Sequence, residues 1–114
     1  MSFNRGDIVI VPFPFVDENG TQEQKARPAQ NIQRRYNDKI LAGITSRIPK
    51  ELTKTELPLE SNKKTGLAKR SVLRLDYLMT VPVSLISRKI GVTPPEKLHT
   101  VDELLALSLG LPID

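Results

Sequence analysis

The first part of the chain has the pattern of an apolar strand followed by a polar loop. Residues 7–13 (DIVIVPF) are dense in β-branched side chains, which favours a strand. The run ends at Pro12 and Pro14, and proline belongs at a strand end or a sheet edge because it has no N–H to donate. Residues 16–26 are polar and include an Asn-Gly pair, so they predict a long loop.

Five further segments continue the β pattern. Residues 27–33 and 40–46 (ILAGITS) predict two antiparallel strands, because an Asn-Asp turn signal lies between them. Residues 47–70 are charged and interrupted by proline and glycine, which predicts exposed loop with one short strand at 55–59 (TELPL). Residues 71–86 supply one or two more strands, and the SRKIG segment after them closes the β region.

The pattern then changes to a helical period. Thr93 is placed as an N-cap, with Pro94 at the first helical position and Glu96 three residues after the cap, which is the capping-box spacing. Gly110 and Pro112 predict the end of this helix. Its apolar stripe, which must lie against the strands, consists of Leu98, Val101, Leu105 and Leu109.

These elements predict a mainly β protein formed by one domain, residues 1–114. Short antiparallel strands and a single C-terminal helix indicate a small, strongly bent antiparallel sheet or barrel, capped by the helix. The interior of such a small barrel is filled by side chains. Function is therefore expected on the rim and in the loops.

Composition narrows the chemistry. A formal net charge of +4 and a pI of about 9.6 favour a polyanionic partner. Cysteine is absent, which excludes disulfides and thiolate metal sites, and a single histidine argues against a His-based metal cluster. Chemistry therefore falls to carboxylates, hydroxyls, Arg and Lys, and no metal or cofactor is expected. No apolar run approaches the roughly 20 residues that span a bilayer, and no secretory pattern is recognisable at the start. A cytoplasmic protein without membrane contact is expected.

One apolar strand carries two opposite charges, Arg74 and Asp76. Side chains alternate along a strand, so this pair shares a face with Val72, and two residues of rise separate the two by about 6.6 Å. The pair can bind a ligand together or form a structural ion pair at the edge of the sheet. The strand alone leaves both interpretations open.

The segments RGDIVIVPFPFVD, KARPA, ILAGITSR and GLAKRSVLRLDYLMTV, followed by VDELLALSLGL, together resemble the MazF/PemK family of toxin-antitoxin ribonucleases. The resemblance runs over nearly the whole chain, with the motifs in the family's order. It implies an SH3-like β-barrel (the plasmid maintenance toxin fold) with a C-terminal helix, a homodimer, and metal-independent cleavage of single-stranded RNA. It also implies a cognate antitoxin whose acidic, flexible segment occupies the RNA groove.

The resemblance also nominates site residues. The matching positions are Arg27 of the Arg-Pro motif, Thr45 and Ser46 of the Thr-Ser motif, Arg74 and Asp76 of the Arg-x-Asp motif, and Glu23 of the acidic-amide pair. Glu23 lies one residue closer to the Arg-Pro motif than is common in the family. As catalytic residues we expect Arg27, Thr45, Arg74 and Asp76; Ser46 and Glu23 are expected to bind RNA.

Cleavage of RNA needs few kinds of group, because its 2′-hydroxyl is the nucleophile. A base, an acid for the leaving 5′-oxygen and cations for the phosphorane charge suffice. We assign Asp76 as base and Arg27 as a bidentate clamp on the phosphate, which Lys would mimic poorly. Arg74 stabilises charge and is one candidate for the acid, and water or a hydroxyl is the other. Thr45 and Ser46 donate hydrogen bonds to phosphate oxygens or orient Arg27.

Two further expectations concern partners and a rival function. Leu104 and Leu107 lie off the main helical stripe and supply surplus apolar surface, as a homodimer requires. The rival is a non-catalytic toxin or binding module on the same fold, such as an inhibitor of DNA gyrase. That role needs no phosphate-cleaving residues, so Arg27, Arg74 and Asp76 favour the ribonuclease.

Overall fold

A computed structural model describes residues 2–16, 22–35 and 37–112, with the backbone alone described for 13–16, 22–25 and 33–35. Across these described residues, six strands and one α-helix follow one another. They are β1 (Asp7–Val16), β2 (Gln22–Arg35), β3 (Asp38–Thr45), β4 (Glu56–Leu59), β5 (Ser71–Pro82), β6 (Arg88–Val92) and α1 (Leu98–Leu109). Single 3₁₀ turns, Val83–Leu85 and Pro95–Lys97, precede β6 and α1.

The strands form one antiparallel sheet in the order β4-β5-β3-β2-β1-β6. The sheet curls into a half-barrel that carries the C-terminal helix, so the predicted mainly β fold is confirmed. All of 71–82 forms one strand, and the short strand predicted within TELPL is β4. Pro58 lies in this edge strand, where the missing N–H does least harm.

The two faces of the curled sheet carry separate apolar clusters. In β3, Ala42 and Ile44 face a cluster that includes Val101 of α1, whereas Leu41 faces a second cluster with Val9 and Phe3. This alternation follows from the two-residue period of a strand. The second face, opposite the helix, also carries the candidate site described below.

The predicted N-terminal cap of the helix is wrong. Thr93 is buried, and its hydroxyl donates to Oε1 of Gln30 at 2.5 Å. The chain then makes the 3₁₀ turn, and α1 begins only at Leu98, without a side-chain cap. A buried hydroxyl needs a partner, and Gln30 inside the sheet provides one that the capping-box spacing cannot reveal.

The other end of α1 agrees with the sequence. Gly110 ends the helix with φ +71°, the left-handed conformation that glycine adopts readily. Val101 is fully buried, and Leu104 and Leu105 pack against the same cluster, so Leu104 is not the surplus surface that was predicted. Leu109, predicted to lie on the buried stripe, is exposed. Within the described residues, no helix has the length and apolar character needed to cross a membrane.

The loop predicted at 16–26 is shorter than expected. β1 extends to Val16 and β2 begins at Gln22, so the polar residues 22–26 are strand. Main-chain pairing explains this, since a ladder of backbone hydrogen bonds needs no apolar side chains. Residues 17–21, including the predicted Asn-Gly turn, lie outside the described part of the chain.

The segment 60–67 joins the two edges of the sheet. It follows edge strand β4, and its Lys64 carbonyl accepts a hydrogen bond from N–H of Val92 in edge strand β6 at 2.8 Å. Thr65 and Leu67 are buried within it, whereas most of 47–70 is exposed loop, as predicted, with β4 as its short strand. The contact is so close that a Cβ on Gly91 would lie 2.3 Å from the carbonyl oxygens of Lys64 and Thr65.

Replacing Gly91 by Ala is therefore expected to destabilise the fold by about 3 kcal/mol, because the clash is with backbone atoms that cannot rotate away. Gly110→Ala is the matched control. The added Cβ meets no atom of the described residues within 4 Å and only adds strain at a positive φ, which costs about 1 kcal/mol. Thermal unfolding of both variants checks this. Equal shifts in melting temperature for the two variants would show that the backbone of 60–67 moves away from the added Cβ at little cost. The contact between 60–67 and β6 would then contribute little to stability.

Candidate functional site

The centre of the candidate site is a bulge in β5. Ala42 and Gly43 are consecutive in β3, yet their partners in β5 are Leu78 and Arg74. Three residues of β5, 75–77, therefore have no partner in β3. N–H of Leu75 instead donates to the carbonyl of Thr55 at 3.0 Å. Bulges of this kind bend a strand and re-aim its side chains, and they are frequent beside active sites.

The bulge changes which side chains share a face. Strict alternation predicts Tyr77 opposite Arg74, but Cζ of Arg74 lies 5.2 Å from the centroid of the Tyr77 ring. That distance is within the range of a cation–π contact. Tyr77 also packs against the cluster of Val9 and Leu41 on the face opposite the helix. Arg74 therefore rests on an aromatic platform on that face.

Arg74 lies between two carboxylates that differ in exposure. Its Nε is 3.9 Å from Oδ1 of Asp76 and 3.7 Å from Oε2 of Glu56. The Asp76 side chain is 45% exposed, whereas that of Glu56 is 6% exposed. The predicted Arg74–Asp76 pair is thus brought together, but the buried partner of Arg74 is Glu56, which sequence reasoning missed. The sequence signal that could have identified Glu56 is an acidic residue in the otherwise apolar strand β4.

The strand register places Arg27 and Thr45 beside this pair. Ala29 of β2 is paired with Gly43 of β3, and Gly43 is paired with Arg74 of β5. Continuing the β2–β3 register by two residues sets Arg27 opposite Thr45, one row further along the same face. Two strand spacings and two residues separate Arg27 from Arg74, so their Cα atoms are about 12 Å apart. Both long side chains can reach a ligand over the Gly43 row.

Three predicted residues have different surroundings. Thr45 is the last residue of β3, and its Oγ1 accepts a hydrogen bond from N–H of Arg47 at 3.1 Å, which leaves its proton free to donate. Ser46 follows it as an exposed residue. Glu23 lies in β2 opposite Phe15, beyond the core of the sheet, and its side chain lies outside the described part of the structure.

The arrangement combines the groups that phosphodiester cleavage needs. Arg27 and Arg74 provide two guanidinium groups, Thr45 provides a hydroxyl donor, and Asp76 provides an exposed carboxylate. Formal charges of the two guanidinium groups balance those of Asp76 and the buried Glu56. An anionic ligand thus meets fixed, directional donors rather than an unpaired cluster of cations.

Solved structures with the same fold come from bacterial toxins. The Mycobacterium tuberculosis toxin MazF-mt6 has a TM-score of 0.75 and 23% identity, covering 94% of this chain and 99% of its own. A mycobacterial endoribonuclease in complex with its cognate antitoxin has a TM-score of 0.74 and 16% identity, covering 99% and 100%. The MazE–MazF complex of Deinococcus radiodurans has a TM-score of 0.74 and 18% identity, covering 98% and 99%. At these identities the likeness establishes the fold.

Family membership rests on the sequence itself. A family model described as the PemK-like, MazF-like toxin of type II toxin-antitoxin systems matches residues 4–109. The match runs from the turn before β1 to the last residue of α1, and it includes every candidate site residue named above. The chain belongs to the PemK-like, MazF-like family of type II toxins.

Proposed function

We propose that this chain is a metal-independent endoribonuclease that cleaves single-stranded RNA, acting as the toxin of a type II toxin-antitoxin pair. The observation that carries the proposal is the pairing of Ala29, Gly43 and Arg74 across three strands beside the bulge, with Asp76 exposed in the bulge. Continued by two residues, this register aligns Arg27 with Thr45 on the same face. A structural neighbour described as an endoribonuclease supports it at the level of the family.

In the proposed reaction Asp76 accepts the proton of the 2′-hydroxyl, whose oxygen attacks the adjacent phosphorus. Arg27 and Arg74 bind the non-bridging oxygens as negative charge develops, and the Thr45 hydroxyl donates to the same group. The bond to the 5′-oxygen breaks, leaving a 2′,3′-cyclic phosphate and a 5′-hydroxyl. Water or a hydroxyl returns a proton to the 5′-oxygen, since a guanidinium gives up its protons reluctantly. Ser46 and Glu23 are assigned to contacts with the flanking RNA.

Two protein partners belong to this proposal. One is a second copy of the chain, supported by three exposed leucines in and just after the last turn of α1, Leu107, Leu109 and Leu111. The other is a cognate antitoxin, since a mycobacterial structural neighbour is described in complex with its cognate antitoxin. An acidic segment of this partner would compete with RNA for the two arginines. Both partners would act in the cytoplasm.

A cleavage assay in excess EDTA tests the reaction. Purified protein is expected to cut a long single-stranded RNA and to leave 2′,3′-cyclic phosphate ends. The matched control is the same RNA with one 2′-O-methyl group at a mapped cut site, which should resist cleavage there because the nucleophile is blocked. Cleavage that requires added divalent ions, or that continues at the methylated position, contradicts the mechanism. Intact transcripts together with gyrase-dependent DNA breaks would support the rival toxin.

A further inference from the structure

The two carboxylates around Arg74 are held differently. Oε1 of Glu56 accepts a hydrogen bond from N–H of Thr53 at 2.7 Å, and the paired strands β4 and β5 set Glu56 directly opposite Arg74. The Glu56 side chain is almost fully buried, so its position is fixed by the fold. Asp76 lies in the bulge and is half exposed, and within the described residues its one ionic contact is Arg74. Glu56 is anchored, and Asp76 can turn toward solvent.

Arg74 has a donor to satisfy. Its Nε is buried, and among the described residues it has no hydrogen-bond partner, because both carboxylates are more than 3.5 Å away. A buried N–H without an acceptor is costly, so a small movement that lets Nε–H donate a hydrogen bond to one of the two carboxylates is favoured. A hydrogen bond from Nε to Asp76 would occupy the proposed base. A hydrogen bond from Nε to Glu56 would leave Asp76 free to accept a proton.

We propose that Glu56 is a positioning residue that holds Nε of Arg74, so that the terminal nitrogens face the phosphate and Asp76 stays free to accept a proton. This inference rests on the proposed ribonuclease function. Burial excludes Glu56 itself as the base, because a side chain only 6% exposed lies out of reach of a 2′-hydroxyl. A guanidinium can bind a carboxylate through Nε and still present its outer edge to a second anion.

Glu56→Gln tests this role. Glutamine keeps an oxygen that can accept from Thr53 but removes the charge that attracts Arg74. We expect kcat for a short RNA substrate to fall ~10²-fold while KM changes little, because a misplaced group costs about that much in the transition state. Glu56→Asp should recover part of the rate. Glu60→Gln is the control. Glu60 follows β4, forms an ion pair with Arg70 at 3.1 Å, and has a side chain that is 57% exposed. The kcat of this variant should equal that of the wild type.

A double-variant comparison separates positioning from stability. If Glu56 acts through Arg74, adding Glu56→Gln to Arg74→Ala should lower kcat no further. A purely structural role would lower the rate again, together with the melting temperature. Should Glu56→Gln fold poorly at the assay temperature, Glu56→Asp, which keeps the charge and shortens the reach, gives the same comparison. A wild-type rate in Glu56→Gln overturns the proposal.

A measurement without RNA keeps the two proposals apart. The Nε–H signal of Arg74 in the ¹⁵N NMR spectrum, assigned by its loss in Arg74→Lys, reports which carboxylate is bound. We expect the signal to move in Glu56→Gln and to change little in Asp76→Asn. The opposite pattern overturns the role of Glu56, whether or not the wild-type protein cleaves RNA. A wild-type protein that cuts no RNA overturns the proposed function alone.

Discussion

Asp76→Asn is expected to lower the rate of RNA cleavage by ~10²- to 10⁴-fold, the usual contribution of a general base, while the protein stays folded. Asparagine matches the shape of the carboxylate but cannot take up the proton of the 2′-hydroxyl. Stability should change little, because Asp76 is half exposed and its contact with Arg74 is long, at 3.9 Å. Exposed ion pairs contribute at most about 1 kcal/mol, or a few degrees in melting temperature.

The control for this experiment is Asp102→Asn. Asp102 on α1 is also an exposed carboxylate paired with an arginine, Arg5, but α1 packs on the face of the sheet opposite the candidate site. Its replacement should leave cleavage unchanged. Asp76→Asn could instead cause a large loss of stability that the double variant Arg74→Ala with Asp76→Asn restores. The Arg74–Asp76 pair would then be structural, and the site would rest on Arg27 and Thr45.

The sequence predicts the strands because each carries its own signal, but it does not predict the bulge. Whether Leu75, Asp76 and Tyr77 have partners depends on how β3 and β5 are aligned over their whole length. Alternation along β5 alone therefore put Tyr77 on the wrong face. Local composition indicates where the central part of each strand forms, and pairing with a distant strand determines where its side chains point.

Buried polar partners are the second feature that the sequence conceals. Glu56 is 18 residues from Arg74 in the chain and directly opposite it in the sheet. Thr93 satisfies every local rule for a helix cap, yet it bonds Gln30 in β2, 63 residues away. Both partnerships arise from tertiary packing. The helix end at Gly110, by contrast, was predictable because a left-handed C-cap is decided by the residue itself.

Arg27→Ala and Arg27→Lys are expected to lower cleavage by similar factors, each ~10²- to 10³-fold, which is the usual cost of removing one transition-state donor. Arg27 is half buried on β2, opposite Val11, and the register aligns it with Thr45. A guanidinium there can bind two phosphate oxygens in a fixed orientation. Lysine keeps the charge but loses this fork, so it should restore little of the rate.

Salt dependence of RNA binding separates the charge of Arg27 from its geometry. Each phosphate contact in single-stranded nucleic acid contributes about 0.7 to the slope of log affinity against log salt concentration. We expect Arg27→Ala to reduce the slope by about that amount, and Arg27→Lys to keep the wild-type slope while its cleavage stays slow. Arg88→Lys, at an exposed position in edge strand β6, is the control and should cleave at the wild-type rate. If Arg27→Lys also cleaves at the wild-type rate, a point charge suffices at this position, and the bidentate clamp is wrong.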